Sequence, residues 1–194
     1  MGKEEGHPKR CKRWDIPWEA HFQTFSCFRR RPFLVKDRTR LWFLEAIDAA
    51  RTSPGLDLWG FVPMPEHVHL LLLPREGVPI SGMLTAIKQP VSRRAVRFAR
   101  QTNPGGLTSM LDAQPNGRRV YRFWPPGGGY DRNMRNVREV HEKLRYMHKD
   151  PVRRGLVERA EDWPWSSART WADGTPDPLR IDRDSFPIST LDRP

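Results

Sequence analysis

Of 194 residues only two are cysteine, Cys11 and Cys27, and no Cys-x-x-Cys occurs. That excludes a disulfide framework, and in a reducing cytosol the pair is expected to stay as thiols. No stretch approaches the roughly 20 apolar residues of a membrane span. The first residues, Met1-Gly2-Lys3-Glu4-Glu5-Gly6-His7, hold no apolar signal core, so a cytoplasmic location without a membrane partner is expected. No repeat at solenoid periods is present, which excludes a superhelical array. Negative charge is scarce: 34 Lys and Arg stand against 23 Asp and Glu, a net +11. That balance points to a polyanionic partner, nucleic acid before membrane, and the bias to arginine suits bidentate phosphate contacts.

What is there is one domain's worth of alternating strand and helix patterns, spanning 19–171 between a basic arm (1–18) and a poorly structured tail (172–194). Ala20 to Phe28 alternates as a first strand. Asp37 reads as the cap of a helix carrying Leu41, Phe43, Leu44, Ile47 and Ala50, closed by Pro54-Gly55. Leu56 to Pro63 and the histidine strand that Pro74 ends read as an antiparallel hairpin through the tight Met64-Pro65-Glu66 link. Leu84, Ile87, Val91, Ala95 and Phe98 form the stripe of a second helix over 80–101, in which Pro90 predicts a kink or an interruption. Residues 102–117 read as loop, Arg118–Trp124 as a fourth strand, and Pro125 to Gly129 as flexible chain. A third helix spans about 134–150, and the Pro- and Asp-rich tail has little core potential. The order strand–helix–strand–strand–helix–strand predicts an α+β, ferredoxin-like (RRM-like) antiparallel sheet with helices on one face and an extra helix after it.

Two elements carry chemistry. Side chains alternate along a strand, so His67 and His69 share one face while Val68 points to the other, and two imidazoles so placed can ligate a metal. On the third helix, at about 100° per residue, Tyr146 falls roughly 140° from the apolar stripe of Val137, Val140, Leu144 and Met147. Asp150 lies at i+4 from Tyr146, on the same face. A carboxylate at the end of that helix opposes the helix dipole, a conflict that a bound cation would remove. Of the other tyrosines, Tyr130 lies in a glycine-rich loop, where a reactive group would be poorly held, and Tyr121 alternates within a strand. Lys88, Arg93, Arg94, Arg97 and Arg100 on the second helix, and Arg118, Arg119 and Arg122 beside Trp124, interleave cations with aromatics. Such surfaces suit single-stranded nucleic acid.

The segment Met64-Pro65-Glu66-His67-Val68-His69-Leu70-Leu71-Leu72 resembles the His-hydrophobic-His motif of single-tyrosine (HUH) transposases of the IS200 type. Leu144-Arg145-Tyr146-Met147-His148-Lys149-Asp150-Pro151-Val152-Arg153-Arg154-Gly155-Leu156-Val157 and Asp162-Trp163-Pro164-Trp165-Ser166-Ser167 are similar to signatures of their REP-associated branch. Phe123-Trp124 and Gly129-Tyr130-Asp131-Arg132-Asn133 also fit. The resemblance covers about 20–171. It implies an HUH endonuclease fold and His67, His69 and Asp150 as ligands of a divalent metal, Mg²⁺ or Mn²⁺. It implies Tyr146 as nucleophile, forming a 5′-phosphotyrosine with single-stranded, hairpin-bearing DNA. Such a protein would be nucleoid-associated and work as a monomer or homodimer. The branch usually has asparagine at the place of Asp150; the carboxylate keeps an oxygen ligand and adds charge. The alternatives are a non-catalytic nucleic-acid binder on the same fold and a replication-initiator or relaxase nickase. A zinc hydrolase is weaker still, since no third histidine or glutamate signature accompanies the pair.

Overall fold

The structure, a computed structural model, describes Ile16 and residues 18–188. The predicted arm therefore lies, apart from Ile16 and Trp18, outside the described residues. Element order is β1 (His21–Ser26), α1 (Asp37–Ala50), β2 (Leu56–Pro63), β3 (His67–Pro74), α2 (Ile80–Thr102), α3 (Pro104–Ser109), β4 (Leu111–Ala113) and β5 (Arg119–Tyr121), then β6 (Tyr130–Asn133), α4 (Val137–His148), α5 (Asp150–Arg153) and α6 (Ala168–Asp173). Four strands form an antiparallel sheet in the order β2-β3-β1-β6. This is the ferredoxin-like α+β arrangement. The β2–β3 hairpin forms as predicted, with Val62 opposite His69.

Strand alternation divides the apolar residues between two layers. Phe25, Leu58, Val68, Leu70 and Leu72 face α1 and α2, packing on Phe43, Ile47, Met83, Ile87 and Val91. Phe22, Trp59, Val62 and Leu71 face the other way and pack on Val140, Leu144 and Met147 of α4. Placement of helices on one face thus holds for α1 and α2, while α4 covers the opposite face. A Cβ at Gly60 would lie 2.8 Å from Leu144 Cδ1 and 3.3 Å from Met147 Cε, so glycine lets α4 close on the sheet. Helix α2 runs unbroken through Pro90, which is exposed. Burial of Leu84, Ile87 and Val91 on either side of Pro90 holds the helix where one backbone hydrogen bond is lost.

The fourth strand of the sheet is not Arg118–Trp124. Arg119–Tyr121 pairs with Leu111–Ala113 in a separate two-stranded ribbon, formed where loop was predicted. Phe123 and Trp124 then turn into the core. The sheet is completed by Tyr130–Asn133, whose sequence has no apolar alternation to announce it. Gly129 makes this pairing possible: at φ +85°, a Cβ there would lie 2.3 Å from the Thr24 carbonyl oxygen.

The tail also departs from expectation. Leu179, Ile181 and Phe186 are buried, and the segment lies along the free edge of β2. Asp182 accepts from Leu58 N (2.8 Å) and its amide donates to Leu58 O (2.7 Å). Trp171 Nε1 donates to Trp59 O (2.9 Å), and Ser167 Oγ accepts from Phe61 N (3.0 Å). Trp163 Nε1 donates to Pro63 O (3.3 Å). An uncovered edge strand exposes unpaired amides to any passing strand, and here the Trp-Pro-Trp-Ser-Ser block and the residues after it satisfy them. Isolated apolar residues among Pro and Asp gave the sequence no periodic signal for this.

Candidate metal and tyrosine site

His67 and His69 project from β3 toward α4 while Val68 enters the other core. The His67 and His69 Nε2 atoms lie 3.2 Å apart. Asp150 Oδ2 lies 3.0 Å from His67 Nε2 and 3.3 Å from His69 Nε2. All three side chains are buried, and their ligand atoms fall within 4.8 Å of one another.

The outward atoms are held as well. His67 Nδ1 meets Glu66 Oε1 at 3.2 Å, and His69 Nδ1 meets Thr24 Oγ1 at 2.8 Å. Arg153 donates to Asp150 Oδ1 (2.8 Å), and Arg154 donates to Glu66 Oε1 (2.6 Å). When Nδ1–H donates outward, the Nε2 lone pair is left facing the cluster, as a metal ligand requires. Two inward imidazole nitrogens and one carboxylate oxygen, each oriented from behind, are a donor set that fits a divalent cation.

Burial lowers the His69 pKa, against the opposing hydrogen bond to Asp150, and so favours the neutral ligand form. Burial of Asp150 disfavours its charge, but in the metal-free cluster protonated forms of His67 and His69, together with Arg153, outweigh this and hold the carboxyl well below the usual range. The predicted dipole conflict does not arise, because α4 ends at His148 and Asp150 opens α5.

Tyr146 is 46% exposed at the mouth of this cluster. Its ring stands edge-on to Phe22 (6.2 Å) and His69 (6.0 Å). Arg153 Cζ lies 4.2 Å and Lys143 Nζ 5.3 Å from the ring centroid. His148, two residues on, points away: buried against Ser167 Oγ (2.8 Å), its pKa is pushed down to about 4 by desolvation.

No family model matches the chain. It is 28% identical over 142 residues to a REP-associated tyrosine transposase of Haemophilus influenzae, covering 69% of this chain and 75% of that protein. It is 25% identical over 157 residues to the REP-associated tyrosine transposase of Escherichia coli K12, covering 80% of each. The chain is a relative of the REP-associated tyrosine transposases. A solved REP-associated tyrosine transposase bound to a REP hairpin matches the fold with a TM-score of 0.64 at 22% identity, over 90% of this chain and 93% of that one. Tyrosine transposases are enzymes, and both of these relatives carry that name.

The basic residues selected from sequence are not gathered at this transposase-like site. Arg93, Arg97 and Arg100 line a groove of about 450 Å³ with Tyr121, on α2 and hence on the opposite side of the sheet. Arg94 is paired with Glu45, and Arg122 with Asp112. Lys88 donates to Gly127 O (2.6 Å), and Arg118 and Arg119 are exposed around the β4–β5 ribbon. Trp124 is a correction: it is 5% exposed, edge-on to Phe25 at 5.0 Å, and its indole donates to Lys88 O. Its ring belongs to the core and offers no face to a base.

Sequence reasoning gave no role to Thr24, Glu66, Lys143, Arg153 and Arg154. Spacing carried a signal for some of them: Glu66 adjoins His67, Arg153 follows Asp150 by three, and Lys143 precedes Tyr146 by three.

Proposed function

We propose that the chain nicks single-stranded DNA and transfers the cut strand through a 5′-phosphotyrosine on Tyr146, with hairpin-bearing DNA as substrate. The observation that carries this reading is the convergence of His67, His69 and Asp150 beside a half-exposed tyrosine flanked by two cations. The REP hairpin bound by the solved relative supports the substrate class. A divalent cation, Mg²⁺ or Mn²⁺, held by His67, His69 and Asp150 would supply positive charge to the scissile phosphate.

The chain's own residues do the rest. Tyr146 Oη bonds to phosphorus as the P–O3′ bond breaks. The phenolic proton passes to solvent and the departing 3′ oxygen takes one up, leaving a 5′-phosphotyrosine and a free 3′-hydroxyl. Attack by a second 3′-hydroxyl reverses that balance, restores the phenol and joins strands without a nucleoside triphosphate. Lys143 and Arg153 orient the ring and stand ready for phosphate oxygens. Glu66 and Thr24 keep the imidazoles aimed. We assign Arg93, Arg97, Arg100, Arg118 and Arg119 to backbone contacts with DNA remote from the nick. This activity requires access to the chromosome, in the cytoplasm; no helix among the described residues is long and apolar enough to cross a membrane.

The test is covalent capture on labelled stem-loop oligonucleotides. A denaturation-resistant protein–DNA adduct is expected with Mg²⁺ or Mn²⁺, absent in EDTA, in Tyr146→Phe and in His67→Ala. Wild-type protein that gives no adduct across a broad panel refutes nicking and leaves a nucleic-acid binder.

A further inference from the structure

Tyr130 is 47% exposed, the same degree as Tyr146, and no step above uses it. It is not in a loop. It opens strand β6, paired with Thr24 of β1, and Thr24 is paired in turn with His69 of β3. Cross-strand partners share a face of the sheet, so Tyr130, Thr24 and His69 form one row on the α4 side. Two strand spacings of about 4.8 Å put the Tyr130 backbone roughly 10 Å from that of His69.

Phe22 ties this tyrosine to the site. Its ring, almost fully buried, is edge-on to Tyr130 at 6.4 Å and to Tyr146 at 6.2 Å, and lies 5.6 Å from His69 in stacked orientation. Two exposed phenols therefore rest on one buried ring. Cations border them: Lys143 Nζ lies 5.3 Å from the rings of Phe22 and Tyr146, and Arg132 stands against the Tyr130 phenol while bonding Glu139. A half-exposed aromatic seated on a rigid ring and bordered by cations is the arrangement by which proteins hold an unpaired base beside its phosphate.

We propose that Tyr130 is a stacking platform for a nucleobase of the single-stranded segment adjoining the scissile phosphate. It positions substrate and is not a second nucleophile. The inference rests on the nicking reading for the location of the scissile phosphate, but its own observable is DNA binding without chemistry.

The experiment measures binding of a fluorescein-labelled stem-loop oligonucleotide with a single-stranded thymine arm, in EDTA so that no strand is cut. Tyr130→Leu keeps apolar bulk against Phe22 but removes the π face, and its Kd is expected to rise roughly tenfold. Tyr130→Phe restores wild-type affinity. An abasic scan of the arm then finds a position whose loss weakens wild type roughly tenfold and leaves Tyr130→Leu unchanged. Circular dichroism melts establish that each variant folds, and Tyr130→Trp provides a second π-bearing variant if Tyr130→Phe does not fold. Tyr130→Leu binding as tightly as wild type overturns the platform, as does absence of any abasic position that distinguishes the two. Loss of the metal-dependent adduct in Tyr130→Phe would make Tyr130 a nucleophile and also overturns it. If the binding results hold but wild type forms no adduct, the nicking reading fails while the platform stands.

Discussion

Glu66 offers the sharpest test of how the histidines of the candidate metal site are held. Its carboxylate is buried, and Oε1 meets His67 Nδ1 (3.2 Å), Arg154 Nη2 (2.6 Å) and, more loosely, Arg30 Nη2 (3.6 Å). Removing the side chain in Glu66→Ala leaves a buried imidazole N–H without its acceptor, at a cost of about 1–3 kcal/mol to folding. It also frees the ring to rotate and to take the other tautomer, with the proton on Nε2 facing the cluster. Partners of this kind change metal affinity by roughly 10- to 100-fold. Glu66→Gln separates hydrogen bonding from charge. The amide oxygen still accepts from Nδ1–H, and the ion pair lost involves an arginine that is 48% exposed, where water screens most of its worth. The glutamine variant is therefore expected within about threefold of wild type and the alanine variant at least about tenfold weaker. Mn²⁺ titration followed by electron paramagnetic resonance reads this directly, with circular dichroism to establish folding. Alanine within twofold of wild type would refute the orienting role. Glutamine as weak as alanine would show that charge, not the hydrogen bond, holds the ring.

Two further outcomes concern the packing behind the site. Ser167→Ala, by orphaning the Phe61 amide and the His148 ring at a fully buried position, is expected to cost about 2–3 kcal/mol in urea unfolding with an unchanged slope; a loss below about 0.5 kcal/mol would contradict the edge-cover account. His148, held down to about pKa 4 by burial, binds its proton more readily unfolded than folded, so its contribution is complete above the usual histidine pKa of 6.5 and drains as pH falls toward 4. Stability should drop by about 2 kcal/mol between roughly pH 7 and pH 5 from this group, and His148→Gln should flatten that part of the slope. Equal slopes in the two proteins would show that other groups, such as His69, carry it.

The parts of the fold that were legible in the sequence are those in which the local pattern and the buried face coincide. β3 is an apolar run bounded by Pro65 and Pro74, and α1, α2 and α4 carry stripes of the right period. The edges of the sheet were not legible. β6 is Tyr-Asp-Arg-Asn, a strand only because Gly129 lets the chain approach the Thr24 carbonyl and β1 offers it amides. At the other edge, Leu179, Ile181 and Asp182 act by meeting backbone groups of β2, a long-range match with no period of its own.

The candidate site divides in the same way. His67 and His69 share a face because they share a strand. Tyr146 and Asp150 meet them because Gly60 admits α4 to the sheet. Strand and helix spacings predict those facts. Charge clustering along the chain does not predict which cations are free, because pairing is decided in space. Arg94 and Arg122, each within three residues of another arginine in sequence, are spent on Glu45 and Asp112. Arg153 and Lys143, given no role from sequence, stand on the ring of Tyr146. The net +11 therefore overstates the cations available around Tyr146. What selects them is the sheet: a cation reaches the tyrosine site only from the α4 side, and the arginines of α2 are excluded from it by the strands that carry the histidines.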